Sequence, residues 1–117
     1  MVQSITIDGK NVTFKATAST AIRYRSLFNR DLLEDFRAIE KKQTNHNELT
    51  LEDIDRLTFL AYIMARQAAD ENTEIKMPED LFEWIDQFEV FPIADIYPVI
   101  VNLWRSSLGT MSDPKKK

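Results

Sequence analysis

His46 is the only histidine in the 117 residues, and there is no cysteine. Imidazole acid–base chemistry near neutral pH would therefore have to run through one side chain. His46 stands in the polar stretch QTNHNE, residues 43–48, and reads as a solvated loop residue rather than a base. The lack of cysteine removes thiolate nucleophiles, thiolate metal sites and disulfides. A zinc site would need several carboxylates around the single histidine, and none shows ligand spacing. The neighbouring acids Glu34/Asp35, Asp53/Asp55 and Glu79/Asp80 fall in first helical turns or on exposed faces, where capping and solvation account for them. Ser106 and Ser107 have no base partner in any hydrolase-like motif. No D-x-D-x-D-G calcium loop occurs. Only Gly9 and Gly109 are available, too few for a phosphate-cradling loop. The expectation is a protein without catalytic residue, metal or cofactor.

Charge is unevenly placed. Residues 10–42 hold eight Lys/Arg against four Asp/Glu, whereas residues 43–111 hold four against thirteen. Two complementary patches of this kind favour head-to-tail contact between copies. The overall charge of −4 argues against nucleic acid as main partner, because phosphate contacts dominate that affinity. Helices over about 20–28 and 31–41, with Arg23, Arg25, Arg30, Arg37, Lys41 and Lys42, superficially suit a helix-turn-helix. Asp31, Glu34, Asp35 and Glu40 on the second helix would repel phosphates.

The elements follow from periodicity. SITIDGKNVTFK, residues 4–15, alternates with period two. A four-residue loop, Asp8 to Asn11, pairs Ile7 with Val12 and Ile5 with Phe14, on one face of a hairpin. Ser19 or Thr20 opens a helix over about 20–28, with Ala21, Tyr24, Leu27 and Phe28 on one side. Asn29 is a left-handed stop, and Asp31 caps a helix over about 31–41 with Leu32, Phe36 and Ile39 inward. Thr50 and Asp53 form a capping box for a helix over about 50–70, whose centre is apolar nearly all round. Pro78 begins a helix over about 78–89, with Leu81, Trp84, Ile85 and Phe88 as its stripe and Phe82 outside it. Pro92 or Pro98 begins the last helix, about 93–108, which Gly109 ends.

The predicted fold is mainly α: an N-terminal β-hairpin, about 4–15, packed on about five helices. Residues 1–111 form a single domain of common size, followed by a disordered tail, 112–117. No run approaches the ~20 apolar residues that span a bilayer, and the N-terminus lacks signal-peptide blocks. A soluble, cytoplasmic protein is expected. The last helix carries an apolar arc of roughly 200°, wider than the ~100° of a one-sided helix. The arc suits either a helix wedged between two neighbours or a surface for a partner. Phe82, Phe91, Tyr97, Val101 and Trp104 are the candidate partner contacts.

The stretch VTFKATASTAIRYRSLFNRDLLEDF, residues 12–36, resembles the N-terminal block of tail assembly chaperones from phages with long, non-contractile tails. The matching features are a strand ending in Phe14, a Thr/Ala-rich link, Tyr24, Phe28 and Asp31-Leu32. DIYPVIVNLWRSSLG, residues 95–109, is similar to that family's final helix, with Pro98 and Leu103-Trp104. The two stretches cover about a third of the chain. Asn29 departs from the glycine usual in the turn, although Asn tolerates that conformation.

The resemblance implies a helical, non-enzymatic protein of the host cytoplasm. It would bind the tape-measure protein, a long helical polypeptide, and keep it in solution while tail-tube subunits polymerise around it. Self-association into a ring or sleeve around this client fits the charge asymmetry. Such genes commonly end in a slippery site that yields a longer, frameshifted product. The final SDPKKK, residues 112–117, suits that idea, since lysine codons write an A-rich run. A generic helical morphogenesis protein, such as a head–tail joining component, is the alternative, and a DNA-binding regulator is the more remote one.

Overall fold

The computed structural model describes residues 2–112, the last five by their backbone alone. Strands β1 (Val2–Ile7) and β2 (Lys10–Lys15) form an antiparallel hairpin. Ile7 lies opposite Lys10, Ile5 opposite Val12 and Gln3 opposite Phe14. The connection is thus two residues, not four. Asp8 and Gly9 both have positive φ, 53° and 77°, the backbone of a type I′ turn that matches strand twist. The expected pairs Ile7–Val12 and Ile5–Phe14 are therefore corrected. The predicted face survives, because the register moves by two residues and a strand repeats every two. Ile7, Val12 and Phe14 are buried and Ile5 is half-buried.

Five helices follow: α1 Thr20–Phe28, α2 Leu32–Thr44, α3 Leu51–Glu71, α4 Leu81–Ile85 and α5 Ile93–Ser112. Asn29 ends α1 in the left-handed conformation, with its N–H on the Arg25 carbonyl. Asp31 caps α2 through Glu34 N–H. Leu32, Phe36 and Ile39 are buried as expected, but Leu27 of α1 points to solvent.

Helix α3 is the centre. Leu57 and Leu60 to Ala65 are buried, with β2, α1, α2, α4 and α5 packed around them. The capping box at Thr50 and Asp53 is formed on both sides. The start of α1 is fixed to α3 by a buried amide. Thr20 Oγ1 donates to Gln67 Oε1 at 2.7 Å, and Gln67 Nε2 donates to Thr17 Oγ1 at 2.8 Å. Ser19, at the N-cap, makes no side-chain capping bond.

The helix expected over 78–89 is shortened to five residues. Side chains of α3 take the carbonyls that a longer helix would have used. The Tyr62 hydroxyl donates to the Glu79 carbonyl, and Arg66 donates to that of Pro78 at 3.3 Å. Asp80, not a residue before Pro78, then caps α4 through Glu83 N–H. Beyond α4, Glu89 N–H is held by Asp8 Oδ2 at 3.0 Å, which ties this loop to the hairpin turn.

Pro92 supplies the carbonyl that opens α5, accepting from Asp95 and Ile96 N–H. Pro98 lies inside the helix and Gly109 does not end it; α5 runs to Ser112. The tail expected at 112–117 otherwise lies outside the described residues. The wide apolar arc of α5 is resolved as a wedged helix. Ile96, Val99, Ile100, Val101, Leu103 and Trp104 are all buried within this one chain, against α3, β1 and α2.

Candidate functional site

The five candidate contacts separate. Val101 and Trp104 belong to the core: both are buried, and Trp104 packs edge-on to Phe36 with ring centroids 6.2 Å apart. They offer little surface in this chain, which corrects their assignment. Trp104 faces α2 through Phe36, a neighbour that periodicity alone does not supply. Tyr97 is half-buried, and burial, together with the Glu40 charge, pushes its hydroxyl above the ordinary tyrosine range. It stands apart from the other two. Phe82 and Phe91 come together.

They meet in a groove between α3, α4 and the start of α5, with a volume of about 280 Å³. Ile54, Phe59, Leu81, Ile85 and Ile93 supply the rest of its apolar lining. Phe59 is held by stacking on Phe28 at 4.3 Å. Phe91 is held edge-on to Trp84 at 5.5 Å. Phe82 is 72% exposed and unlike them has room to move. The local sequence explains this. Asp80 fixes the first turn of α4, Trp84 is its buried anchor, and Phe82 is two residues away on the opposite side. Leu51, at the start of α3, and Val90, just before Phe91, are also exposed apolar side chains.

The frame is acidic. Residues 78–95 contain Glu79, Asp80, Glu83, Asp86, Glu89 and Asp95 and no Lys or Arg. Asp55 lies on the groove wall itself. Thr58, the other polar side chain there, spends its hydroxyl on the Ile54 carbonyl at 2.8 Å. The groove thus presents apolar walls with carboxylates around them, which suits the apolar side chains of another chain more than a small polar molecule.

A second surface is richer in arginine, although Asp31 also lines it. Ile22, Leu27 and Leu33 on α1 and α2 are 68%, 59% and 45% exposed. Around them lie hollows lined by Arg23, Arg25, Arg30 and Arg66. Arg23 and Arg66 are paired with Asp70, and Arg30 with Asp35. Arg25 and Arg37 make no ion pair among the described residues. Sequence reasoning found the charge division but missed these three apolar side chains. Leu27 was assigned inward by periodicity, and Ile22 and Leu33 lay off both stripes.

The two buried carboxylates have structural occupations. Burial pushes the Asp35 carboxyl up, but hydrogen bonds from Arg30 and Tyr24 and the nearby guanidinium charges outweigh it and hold it below the ordinary range. Asp53 behaves likewise: burial is outweighed by Lys42 and by the Thr50 cap. His46 is exposed in a turn with φ 60°. Among the described residues no group of three His, Asp or Glu is placed to hold a metal ion, and no helix is long and apolar enough to cross a membrane.

Comparison with protein-family models, with curated proteins and with solved structures finds no match to this chain.

Proposed function

We propose that this chain is a tail assembly chaperone that binds and solubilises a tape-measure protein during phage tail morphogenesis. The observation that carries the reading is Phe82, exposed above an apolar groove framed by carboxylates. A long amphipathic helix with no partner exposes an apolar stripe and aggregates. An open groove with aromatic walls takes successive apolar residues of such a helix. The resemblance of residues 12–36 and 95–109 to the chaperone family supplies the identity of the client. Tail-tube subunits would displace the chaperone as they polymerise. Copies of the chain also associate with one another.

Co-expression with a long helical tape-measure protein is the test. The chaperone reading expects the client to stay in the supernatant with this chain and to precipitate without it, or with Phe82→Lys. A client equally soluble in all three cases would leave a plain morphogenesis or joining protein as the better description. The nucleotides encoding Ser112 to Lys117 provide a separate check: an A-rich slippery heptamer followed by an open −1 frame is expected.

A further inference from the structure

The walls of the groove below Phe82 limit the backbone an occupant can have. Ile54, Phe59, Leu81, Ile85 and Phe91 enclose about 280 Å³ with it. Most of these walls belong to α3 and α4, and the Thr58 hydroxyl is spent on the Ile54 carbonyl at 2.8 Å. Walls built of helices present no strand edge, so an extended peptide would bury its own N–H and C=O groups unpaired. A helix pairs its backbone internally and brings only side chains. One helical turn, 10–12 Å across with 5.4 Å of rise, fills roughly 400–500 Å³, more than the groove holds. An occupant helix therefore lies across the rim and lowers apolar side chains spaced i, i+3, i+4 and i+7 between the walls.

The rim then decides which helix. Asp55 lines the groove, Asp80, Glu83 and Asp86 adjoin Leu81, Phe82 and Ile85 in the chain, and Asp95 stands two residues after Ile93. All five acids are exposed, and none makes an ion pair among the described residues. The cations on α3 are engaged elsewhere. Arg56 stands 3.7 Å from Glu52 and from Asp53 and 4.0 Å from Asp35. Arg66 pairs with Asp70 and donates to the Pro78 carbonyl. Lys10 and Lys76 line a separate hollow that shares no residue with the groove. We propose, resting on the client reading above, that the groove takes a helical segment of the client whose apolar stripe is flanked by lysine or arginine. A stripe flanked by acids would bring like charges together at the rim, which counts against it as a partner. Lysine and arginine also lay their apolar stems along a ring such as Phe82 while the charged head reaches a carboxylate.

Peptide titration decides it. Two capped peptides of about 18 residues, long enough to be partly helical, share a leucine stripe and carry either lysine or glutamate on its flanks. A third has the composition of the lysine peptide in an order that breaks the stripe. Calorimetry at pH 7 and low salt should find the lysine peptide bound about tenfold more tightly than the glutamate peptide. Salt at about 0.5 M, where the Debye length is ~4 Å, should narrow the gap. The stripe-broken peptide should bind weakly. Phe82→Lys should weaken the lysine peptide about tenfold, and Asp55→Asn about threefold. Both side chains are exposed, so circular dichroism should report both variants as folded. Four results would overturn the proposal: no binding of either striped peptide at its solubility limit, equal binding of the two, a stripe-broken peptide as good as the intact one, or folded variants that bind like the wild type. A client retained through Phe82 in co-expression, with the two striped peptides bound alike, would sink this proposal and leave the chaperone reading standing. A client that stays soluble without the chain would remove the chaperone reading and leave the groove's preference for a basic-flanked helix intact.

Discussion

The Tyr24 hydroxyl donates to Asp35 Oδ2 at 2.7 Å, and Arg30 donates to both oxygens of the same carboxylate, at 2.7 and 2.8 Å. Tyr24 belongs to α1, Arg30 to the two-residue link after Asn29, and Asp35 to α2. Arg56 of α3 stands 4.0 Å from the carboxylate on its other side. One acid thereby fixes the angle between the two helices that carry the basic face, and leans it on α3. The geometry of that face thus rests on a buried carboxylate.

Removing parts of this cluster should cost stability in a set order. Tyr24→Phe loses one hydrogen bond to a charged acceptor, about 1.5 kcal/mol. Asp35→Asn leaves Arg30 without its counter-charge. The cost should be roughly 2 kcal/mol, below the ~3–5 of a fully buried pair, because Arg30 is 36% exposed and water screens it. Urea denaturation of both variants and of the double variant checks the order. A double variant no worse than Asp35→Asn would show that Tyr24 acts through the acid.

Acid should attack the same points. Asp35 and Asp53 both titrate below the ordinary carboxylate range in the folded chain. Their contribution is therefore fully present above the unfolded value of about 3.9. It is lost as pH falls below that value and through the folded pKa of each. Stability followed by tryptophan emission should accordingly be flat on this account from pH 7 to about 5 and then fall. Trp84 and Trp104 are both buried, so unfolding shifts their emission to the red. In Asp35→Asn the acid-side slope should be shallower, since one of the two protons is no longer taken up on unfolding.

The cap of α3 predicts a smaller effect. Asp53 N–H donates to Thr50 Oγ1 at 3.2 Å and Thr50 N–H to Asp53 Oδ2 at 2.9 Å. Thr50→Ala should lose about 1 kcal/mol. Asp53→Ala should lose more, because Lys42 and Arg56 also point at that carboxylate. If thermal unfolding ranks the two the other way, Asp53 is a cap and nothing else.

The hairpin turn offers a test of backbone alone. Gly9 has φ +77° and open space where a Cβ would stand. Gly9→Ala should therefore cost about 1 kcal/mol through conformation, not through a clash. The midpoint of urea unfolding should drop with the slope unchanged.

Where the sequence was legible, a local signal and the tertiary demand agreed. Asn29 at the end of α1, Asp31 and Thr50/Asp53 at helix starts, and the all-round apolar centre of α3 are of this kind. Period two fixed which hairpin residues face inward. It did not fix the register, because a shift of two leaves the pattern unchanged; the Asp-Gly pair decides it. Helix α4 was over-extended because Pro78 is a good first helical residue in isolation. The competing donation by Tyr62 and Arg66 to those backbone carbonyls comes from α3 and leaves no local trace. The broad arc of α5 was equally consistent with burial and with binding, since a helical wheel does not say how many neighbours a helix has. That ambiguity is why Trp104 and Val101 were grouped with Phe82.

Substitutions at Trp104 and Phe82 separate packing from recognition. Trp104 is 4% exposed and Phe82 72% exposed. Trp104→Ala should lose about 3–5 kcal/mol, the usual cost of emptying an aromatic core site. Phe82→Ala should stay within about 0.5 kcal/mol of the wild type, as surface changes do. Client retention in the co-expression assay should rank them in reverse when both are compared at a temperature where both remain folded. Phe82→Ala should release the client although its melting curve is unaltered, and Trp104→Ala should keep it. The contrast works because the two rings occupy different environments in one molecule. One ring is locked against Phe36, and the other stands over a groove walled by Phe91 and Phe59. Retention that instead tracks melting temperature across the pair would show that the groove contributes nothing to recognition beyond holding the fold together.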